Sequence, residues 1–197
     1  MIVLLSCGVT IYHKPNIPLF STEDISGQWV NVKYLRSVLT TKSAKISQGA
    51  CELSYVEIKN DTALIIINFH EGLTVHLENT YASTFVFKSG DYIYNFVAKN
   101  DTLFSSYQNT YDSLPTYDTL IKYNITFTDP YKKTNKLLNQ EIFTGNYQIV
   151  DSSNKTLTFY EEGEVKGFKK FRYYSVLEDY FDAGCNFDIL FLYNDNY

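Results

Sequence analysis

Two histidines flank a predicted turn. Among the residues of this chain, they are the strongest candidates for metal ligands. His70 directly precedes Glu71-Gly72, and His76 follows it within the apolar run Leu73–Leu77. A hairpin there would bring the two imidazoles together with Glu71 and Glu78 nearby, and such side chains bind zinc. Polar residues on an exposed hairpin would show the same pattern, and we favour that interpretation.

Motifs for covalent or cofactor chemistry are absent from the sequence. The third histidine is His13, and there is no Gly-x-Ser-x-Gly elbow, glycine-rich phosphate loop or His-Glu-x-x-His pair. The acidic residues Glu178, Asp179, Asp182 and Asp188 lack the ligand spacing of a calcium loop. We therefore predict no cofactor and no enzymatic activity, with a catalytic site assembled across strands as a third-ranked alternative.

Composition and charge narrow the class of protein further. The 197 residues carry a net charge of −5, with a pI near 5.2. Nucleic-acid binding usually needs a basic surface, so the sequence predicts no nucleic-acid partner. No apolar run approaches the roughly 18 residues that a membrane-spanning helix needs. Aromatic residues make up 17% of the chain, mostly Tyr and Phe, which favours β-strands.

Short strand-like runs separated by turn sequences fill most of the chain after Gly27. Asn60-Asp61, Ser89-Gly90-Asp91 and Asn100-Asp101 are typical of tight turns. The residues from Leu35 to Leu39 are less regular and predict a helical turn or two. The predicted strands include 28–34, 53–59, 63–69, 73–77, 84–88, 92–98, 119–128, 143–150 and 165–176.

One strand in particular indicates how the sheet is arranged. Tyr92, Tyr94 and Phe96 fall on one face of it, and Ile93 and Val97 fall on the other. Two apolar faces are typical of a barrel wall or of a packed central strand. The sequence thus predicts an all-β fold of about ten strands, either a single antiparallel up-and-down β-barrel or a β-sandwich.

The opening of the predicted domain contains Gly27-Gln28-Trp29, which resembles the Gly-x-Trp motif of lipocalins. The resemblance implies a lipocalin-like, calycin-type barrel in which Trp29 closes the bottom. Gly145-Asn146-Tyr147 repeats the pattern and looks like part of a strand-and-hairpin run in bacterial lipocalin-like lipoproteins. Trp29, Tyr92, Tyr94 and Phe96 are then candidates for lining a ligand cavity. A filled interior would make the same residues plain core.

The N-terminus resembles a bacterial lipobox. Leu4-Leu5-Ser6-Cys7 has an apolar residue three positions before the cysteine and a small one directly before it. The resemblance, to Bacteroidetes-type envelope lipoproteins, implies cleavage before Cys7, lipid attachment there and an outer-membrane location. Residues 1–24 are then a signal-peptide remnant and tether, and 25–197 form one barrel-like domain. The alternative is an ordinary first strand with Cys7 as a buried thiol.

If Cys7 carries a lipid, two cysteines remain, Cys51 and Cys185. They would form a disulfide in an oxidising compartment, or remain two buried free thiols. Their separation does not fit a zinc site, which needs clustered ligand pairs.

The functional expectation is a non-enzymatic protein anchored at the cell envelope by an N-terminal lipid. Its partner would be a small apolar ligand or an envelope protein. The alternative is a surface interaction module with a filled core, whose contacts come from loops such as Tyr107–Tyr117, rich in Tyr, Asn and Ser.

Overall fold

A computed structural model describes residues 20–67, 71–109, 114–124, 136–150, 155–177 and 187–194, without the side chains of Glu71 and Asn109. Cys7, His13, His70 and Cys185 therefore lie outside the described residues. The fold is all-β, as predicted, and its main element is a closed antiparallel barrel of eight strands. None of the helices in the part described is long and apolar enough to cross a membrane.

The barrel has up-and-down topology, because each strand pairs with the next along the chain and the last returns to the first. The closing seam pairs Trp29 with Lys122 and Asn31 with Leu120. The eight strands are β1 (Gly27–Asn31), β2 (Leu53–Lys59), β3 (Thr62–Ile67), β4 (Glu71–Tyr81), β5 (Thr84–Ser89), β6 (Tyr92–Lys99), β7 (Thr102–Asn109) and β8 (Thr116–Lys122).

Two-residue turns set the register of four of the hairpins. Each turn begins with a residue at positive φ, between 54° and 55°: Asn60, Ala82, Gly90 and Asn100. Turns that begin this way match the right-handed twist of paired strands, and Asn and Gly adopt that conformation most easily. The three turns expected at Asn60, Gly90 and Asn100 are confirmed, and the turn at Ala82 has no such sequence signal.

Two helices cover the outer face of β1 to β3. They are α2 (Val32–Thr41) and α3 (Ala44–Gln48), which join β1 to β2. Tyr34 and Val38 of α2 pack against Val30 and Tyr55, whose side chains point away from the barrel interior. Both faces of the wall are therefore buried here, rather than at β6, where Val97 is exposed on the outer face.

The first predicted strand, 28–34, was too long, because Val32 to Tyr34 are helical. Asn31 ends β1 and begins α2: its Oδ1 accepts from the backbone N–H groups of Lys33 and Tyr34 at 2.8 and 3.4 Å. Asparagine at this position supplies the acceptor that a helix N-terminus lacks. Its Nδ2 donates to the Leu53 carbonyl at 2.8 Å, so the same buried side chain also fixes the start of β2.

A short helix, α1 (Thr22–Ile25), closes the opposite end of the barrel. Ser21 and Asp24 form a capping box that stabilises this single turn. The hydrogen bonds from Ser21 lower the pKa of the Asp24 carboxyl. Ile25 is buried, and its carbonyl accepts a hydrogen bond from Trp29 Nε1 at 2.8 Å. We call the two ends of the barrel the α1 end and the α2 end.

Apolar side chains fill the α1 end and the middle of the barrel. Trp29 lies in one buried cluster with Phe85, Phe87 and Phe96, all nearly free of solvent contact. Phe87 and Phe96 meet edge to face, with ring centroids 5.8 Å apart. Such packing resembles a protein interior.

The remaining described residues form two smaller sheets outside the barrel. A three-stranded sheet contains β9 (Gly145–Gln148), β10 (Thr156–Phe159) and β11 (Val165–Lys166), and a two-stranded sheet contains β12 (Tyr173–Val176) and β13 (Leu190–Tyr193). A π-helix, Asn139–Phe143, precedes them. The predicted strand 165–176 is in fact β11 and β12, and the predicted strand 143–150 is shortened to β9. The assignment of 25–197 to one domain stays a prediction.

Candidate functional site at the α2 end of the barrel

The seam between β1 and β8 is short, because the chain leaves it for α2 before β8 ends. The last pair of the seam joins Asn31 to Leu120, although β8 begins at Thr116. Because β1 turns into α2 at Asn31, the next residues of β8 have no ladder partner in β1. If the register continued, Lys33 would lie opposite Asp118.

An ion pair spans this gap. Lys33 Nζ lies 3.3 Å from Asp118 Oδ1. The two side chains differ greatly in exposure, 62% for Lys33 and 3% for Asp118. The carboxylate is therefore held inside the barrel, while the lysine reaches it from the solvent side. A buried charge needs such a partner, because its desolvation is costly.

Asp118 has one oxygen to spare. It pairs with Ser105 across β7 and β8, and both side chains are buried. Ser105 Oγ donates to the backbone carbonyl of Asp118 at 3.4 Å. Asp118 Oδ2 is buried and has no hydrogen-bond partner among the residues that the structure describes. Buried polar atoms are nearly always paired, so an open carboxylate oxygen indicates a place for a further group.

A layer of tyrosines lies in the same half of the barrel. Tyr94 pairs with Tyr107 across β6 and β7, and their rings stack with centroids 5.6 Å apart. Tyr92 stacks on Tyr94 from the rim, at 6.5 Å and with 37% of the residue exposed. Tyr107 Oη donates to the carboxylate of Glu52, in the segment before β2.

Tyr94 supplies the second unpaired polar atom. The residue is fully buried, and its hydroxyl finds no partner within the described parts of the chain. Burial, with a smaller contribution from Tyr92, raises the pKa of Tyr94 to about 12. The phenol is therefore neutral at physiological pH and keeps a proton to donate.

Cys51 lies near this site but is not activated for chemistry. It carries a free thiol and is half-buried. Burial and the negative charge of Asp118 raise its pKa to about 12. Nucleophilic cysteines need the thiolate, so this thiol is not suited to covalent catalysis near neutral pH. Its pairing with Cys185 stays a prediction, since Cys185 lies outside the described residues.

We expect Cys51 to react slowly with thiol reagents in the folded protein. At pH 8 a pKa near 12 leaves about one thiolate in ten thousand, against about one in ten for an unperturbed thiol. Iodoacetamide labelling of a Cys7→Ala, Cys185→Ala variant, with and without urea, measures the ratio. A native rate close to the unfolded rate would contradict the buried environment assigned to Cys51.

The four residues predicted to line a cavity all lie on the inner face of the barrel, but in two different environments. Tyr92 and Tyr94 belong to the tyrosine layer at the α2 end. Trp29 and Phe96 belong to the filled part, where the surrounding side chains are apolar. Tyr94 also belongs to that core cluster, and Tyr107 packs against it. Three of the four predicted lining residues are therefore core residues, and Tyr92 lies at the rim.

The candidate metal site is described only in part. His76 is exposed on β4, where its neighbours across the sheet are Thr62 and Lys88. His70 lies outside the described residues. Within the described ranges, no group of three or more His, Cys, Asp or Glu side chains is placed to hold a metal ion.

Sequence reasoning missed Lys33, Ser105 and Asp118, and it named Tyr107 as the start of a contact loop and not as part of the barrel interior. The only signal for Asp118 was its alternation with the apolar Leu120, and Thr116 and Lys122 on the same face of the strand are polar. The predicted strand began at Thr119 and therefore excluded it. Lys33 had no such signal, because its role depends on where β1 ends and on the closure of the barrel.

No protein-family model matches this sequence, and neither a curated protein nor a solved structure gives a significant match. The class of protein is therefore defined by the fold: an all-β protein with a closed, antiparallel, eight-stranded barrel, consistent with the predicted lipocalin-like fold. Its distinguishing feature is a buried carboxylate, Asp118, and a set of stacked tyrosines that lie beside the apolar cluster in the barrel interior.

Proposed function

We propose that this protein is a non-enzymatic binding protein that holds a small amphipathic ligand at the α2 end of its barrel. The observation that carries the proposal is that Asp118 Oδ2 and Tyr94 Oη are among five buried side-chain oxygens with no hydrogen-bond partner in the described residues. Leaving such atoms without partners costs about 1–3 kcal/mol each, so a bound group that satisfies them is favoured.

The surroundings of these atoms define the shape of the proposed ligand. Apolar side chains fill the α1 end. The ligand is therefore not placed deep in the barrel, among Trp29 and the phenylalanines. The tyrosine layer offers flat apolar surface to the ligand's body, and Asp118 and Tyr94 offer hydrogen bonds to its polar end. Entry is proposed at the short seam, where the exposed Lys33 side chain reaches Asp118 from the solvent side.

A ligand screen with matched variants tests the proposal. We would screen the full chain carrying Cys7→Ala by ligand-observed NMR, against small neutral, cationic and anionic amphiphiles. Ligands of the proposed site should lose binding in Asp118→Asn and Tyr94→Phe. They should retain it in Asp101→Asn, in the turn at the α1 end, and in Tyr117→Phe, whose ring is 68% exposed. Binding that survives both site variants would place the ligand elsewhere.

The proposal includes anchoring at the bacterial cell envelope through a lipid on Cys7, supported by the lipobox-like Leu4-Leu5-Ser6-Cys7. Two or three acyl chains would hold the protein stably at a membrane. Intact-mass analysis of the protein from membranes of its host is the test, with Cys7→Ala as the control. Cleavage before Cys7 plus acyl mass would support the anchor, and an unmodified chain beginning at Met1 would refute it.

The second candidate is an interaction module, favoured by the outer face of β6 to β8. Val97 pairs with Phe104, and both are exposed, Phe104 by 44%. Tyr117 lies on the same outer face of the barrel. Phe104→Ser would remove this surface without touching the interior. Loss of an envelope partner in Phe104→Ser, with small-molecule binding unchanged, would favour the module over the ligand carrier.

A further inference from the structure

We propose that the polar end of the ligand is a protonated amine, held by Asp118 Oδ2 and by the face of the tyrosine layer; this inference rests on the ligand site proposed above. One oxygen of the carboxylate contacts Lys33, and the other has no hydrogen-bond partner among the described residues. An ammonium group donates up to three hydrogen bonds and carries the charge that a buried carboxylate favours.

The balance of charge supports a cation. The described charged groups of the site are the ion pair of Asp118 and Lys33, which is neutral as a pair, and the exposed carboxylate of Glu52, which is bonded to Tyr107. They sum to one negative charge, which a monovalent cation would neutralise. Partly desolvated charges interact more strongly than charges in water. A cation that neutralises the site is therefore favoured more here than at an exposed position.

Lys33 shows that an ammonium group fits beside Asp118. Its Nζ already lies at hydrogen-bonding distance from Oδ1. Because most of its side chain is exposed, it can move aside or share the carboxylate with an incoming amine. Lys33 thus competes with the ligand for Asp118. Removing Lys33 should therefore raise the affinity for an amine.

The partly exposed ring of Tyr92 would supply a second contact for the same group, since Tyr94 is stacked between Tyr92 and Tyr107 and its own faces are occupied. A cation over an aromatic face is attracted by the ring's quadrupole. The other end of the barrel contains such an arrangement, with Lys122 Nζ 5.3 Å from the centre of the Trp29 ring. An anion is disfavoured, since the buried carboxylate would repel it. A metal ion would need more oxygen or nitrogen ligands than the described residues supply.

Binding of matched probes tests the chemical class. We would titrate the full chain carrying Cys7→Ala with phenethylamine, 2-phenylethanol and 3-phenylpropionate, which differ mainly in charge, and with tyramine and methylamine. We expect the aromatic amines to bind at least about tenfold more tightly than the alcohol or the acid. Asp118→Asn should abolish that preference. Binding should weaken as the pH rises above the pKa of the amine.

Lys33→Ala provides the decisive comparison, with Lys99→Ala, an exposed residue at the α1 end, as its control. Removing the competitor should raise the affinity for amines by about threefold to tenfold. An unchanged or lower amine affinity in Lys33→Ala would overturn the proposal, as would equal binding of all three matched probes. If no amine binds but other library ligands depend on Asp118 and Tyr94, the amine is refuted and the ligand site stands. If no ligand depends on them, the site itself is refuted.

Discussion

Trp29→Ala is expected to lower the free energy of unfolding by about 4 kcal/mol, within the range for large aromatic side chains removed from a core. The indole is fully buried and lies in the cluster that fills the α1 end. Its Nε1 donates to the Ile25 carbonyl, and Lys122 lies over its ring. Truncation would leave a cavity and remove the contact that attaches α1 to the barrel.

Two control variants separate the parts of this effect. Trp29→Phe keeps most of the apolar volume and loses the hydrogen bond, so a cost of about 1–2 kcal/mol is expected. Phe104→Ala removes a large ring from the outer face and should cost less than about 1 kcal/mol. Urea unfolding followed by far-UV circular dichroism suits all three, since Trp29 is the sole tryptophan. Equal costs for Trp29→Ala and Phe104→Ala would contradict the packing described for the α1 end.

Gly167→Ala is expected to destabilise the small β9–β11 sheet by about 3 kcal/mol, through overpacking and backbone strain together. The glycine has a φ of 99°, which side chains rarely adopt. A Cβ at this position would overlap the backbone oxygen of Thr156 and come within 3.2 Å of Leu157 Cα. Neither backbone group can move without disturbing the pairing of β10.

Gly90→Ala is the matched control for this prediction. Gly90 also has positive φ, at 54°, but an added Cβ would meet nothing within 4 Å. Only the strain of the turn remains, at about 1 kcal/mol. Amide hydrogen exchange in β9 and β10 measures the local effect of Gly167→Ala. If both variants cost the same, the close approach to Thr156 does not constrain the fold.

The sequence predicts the barrel well wherever local chemistry decides the structure. Asn60, Gly90 and Asn100 mark turns because their side chains tolerate positive φ, and the strands between them alternate in the usual way. The inward face of β6 was likewise readable from Tyr94 and Phe96. These features depend on near neighbours in the chain, which is why a single sequence reveals them.

Long-range geometry explains what the sequence did not reveal. Asn31 ends β1 by capping α2, but an asparagine after a strand is compatible with several other turns. The seam that joins Trp29 to Lys122 closes the barrel over a long stretch of chain, and no local pattern encodes its length. Asp118 becomes a site residue only because that seam stops short, so its role follows from closure rather than from a motif.

The most direct test of the central claim is the stability of the ligand-free Tyr94→Phe variant. If the buried hydroxyl is kept for a ligand and has no protein partner, its removal should leave the free energy of unfolding unchanged or raise it by about 1 kcal/mol. Tyr117→Phe, on the outer face, should have no measurable effect. A loss of about 1 kcal/mol or more in Tyr94→Phe would show that the hydroxyl is bonded within the protein, and would contradict the ligand site.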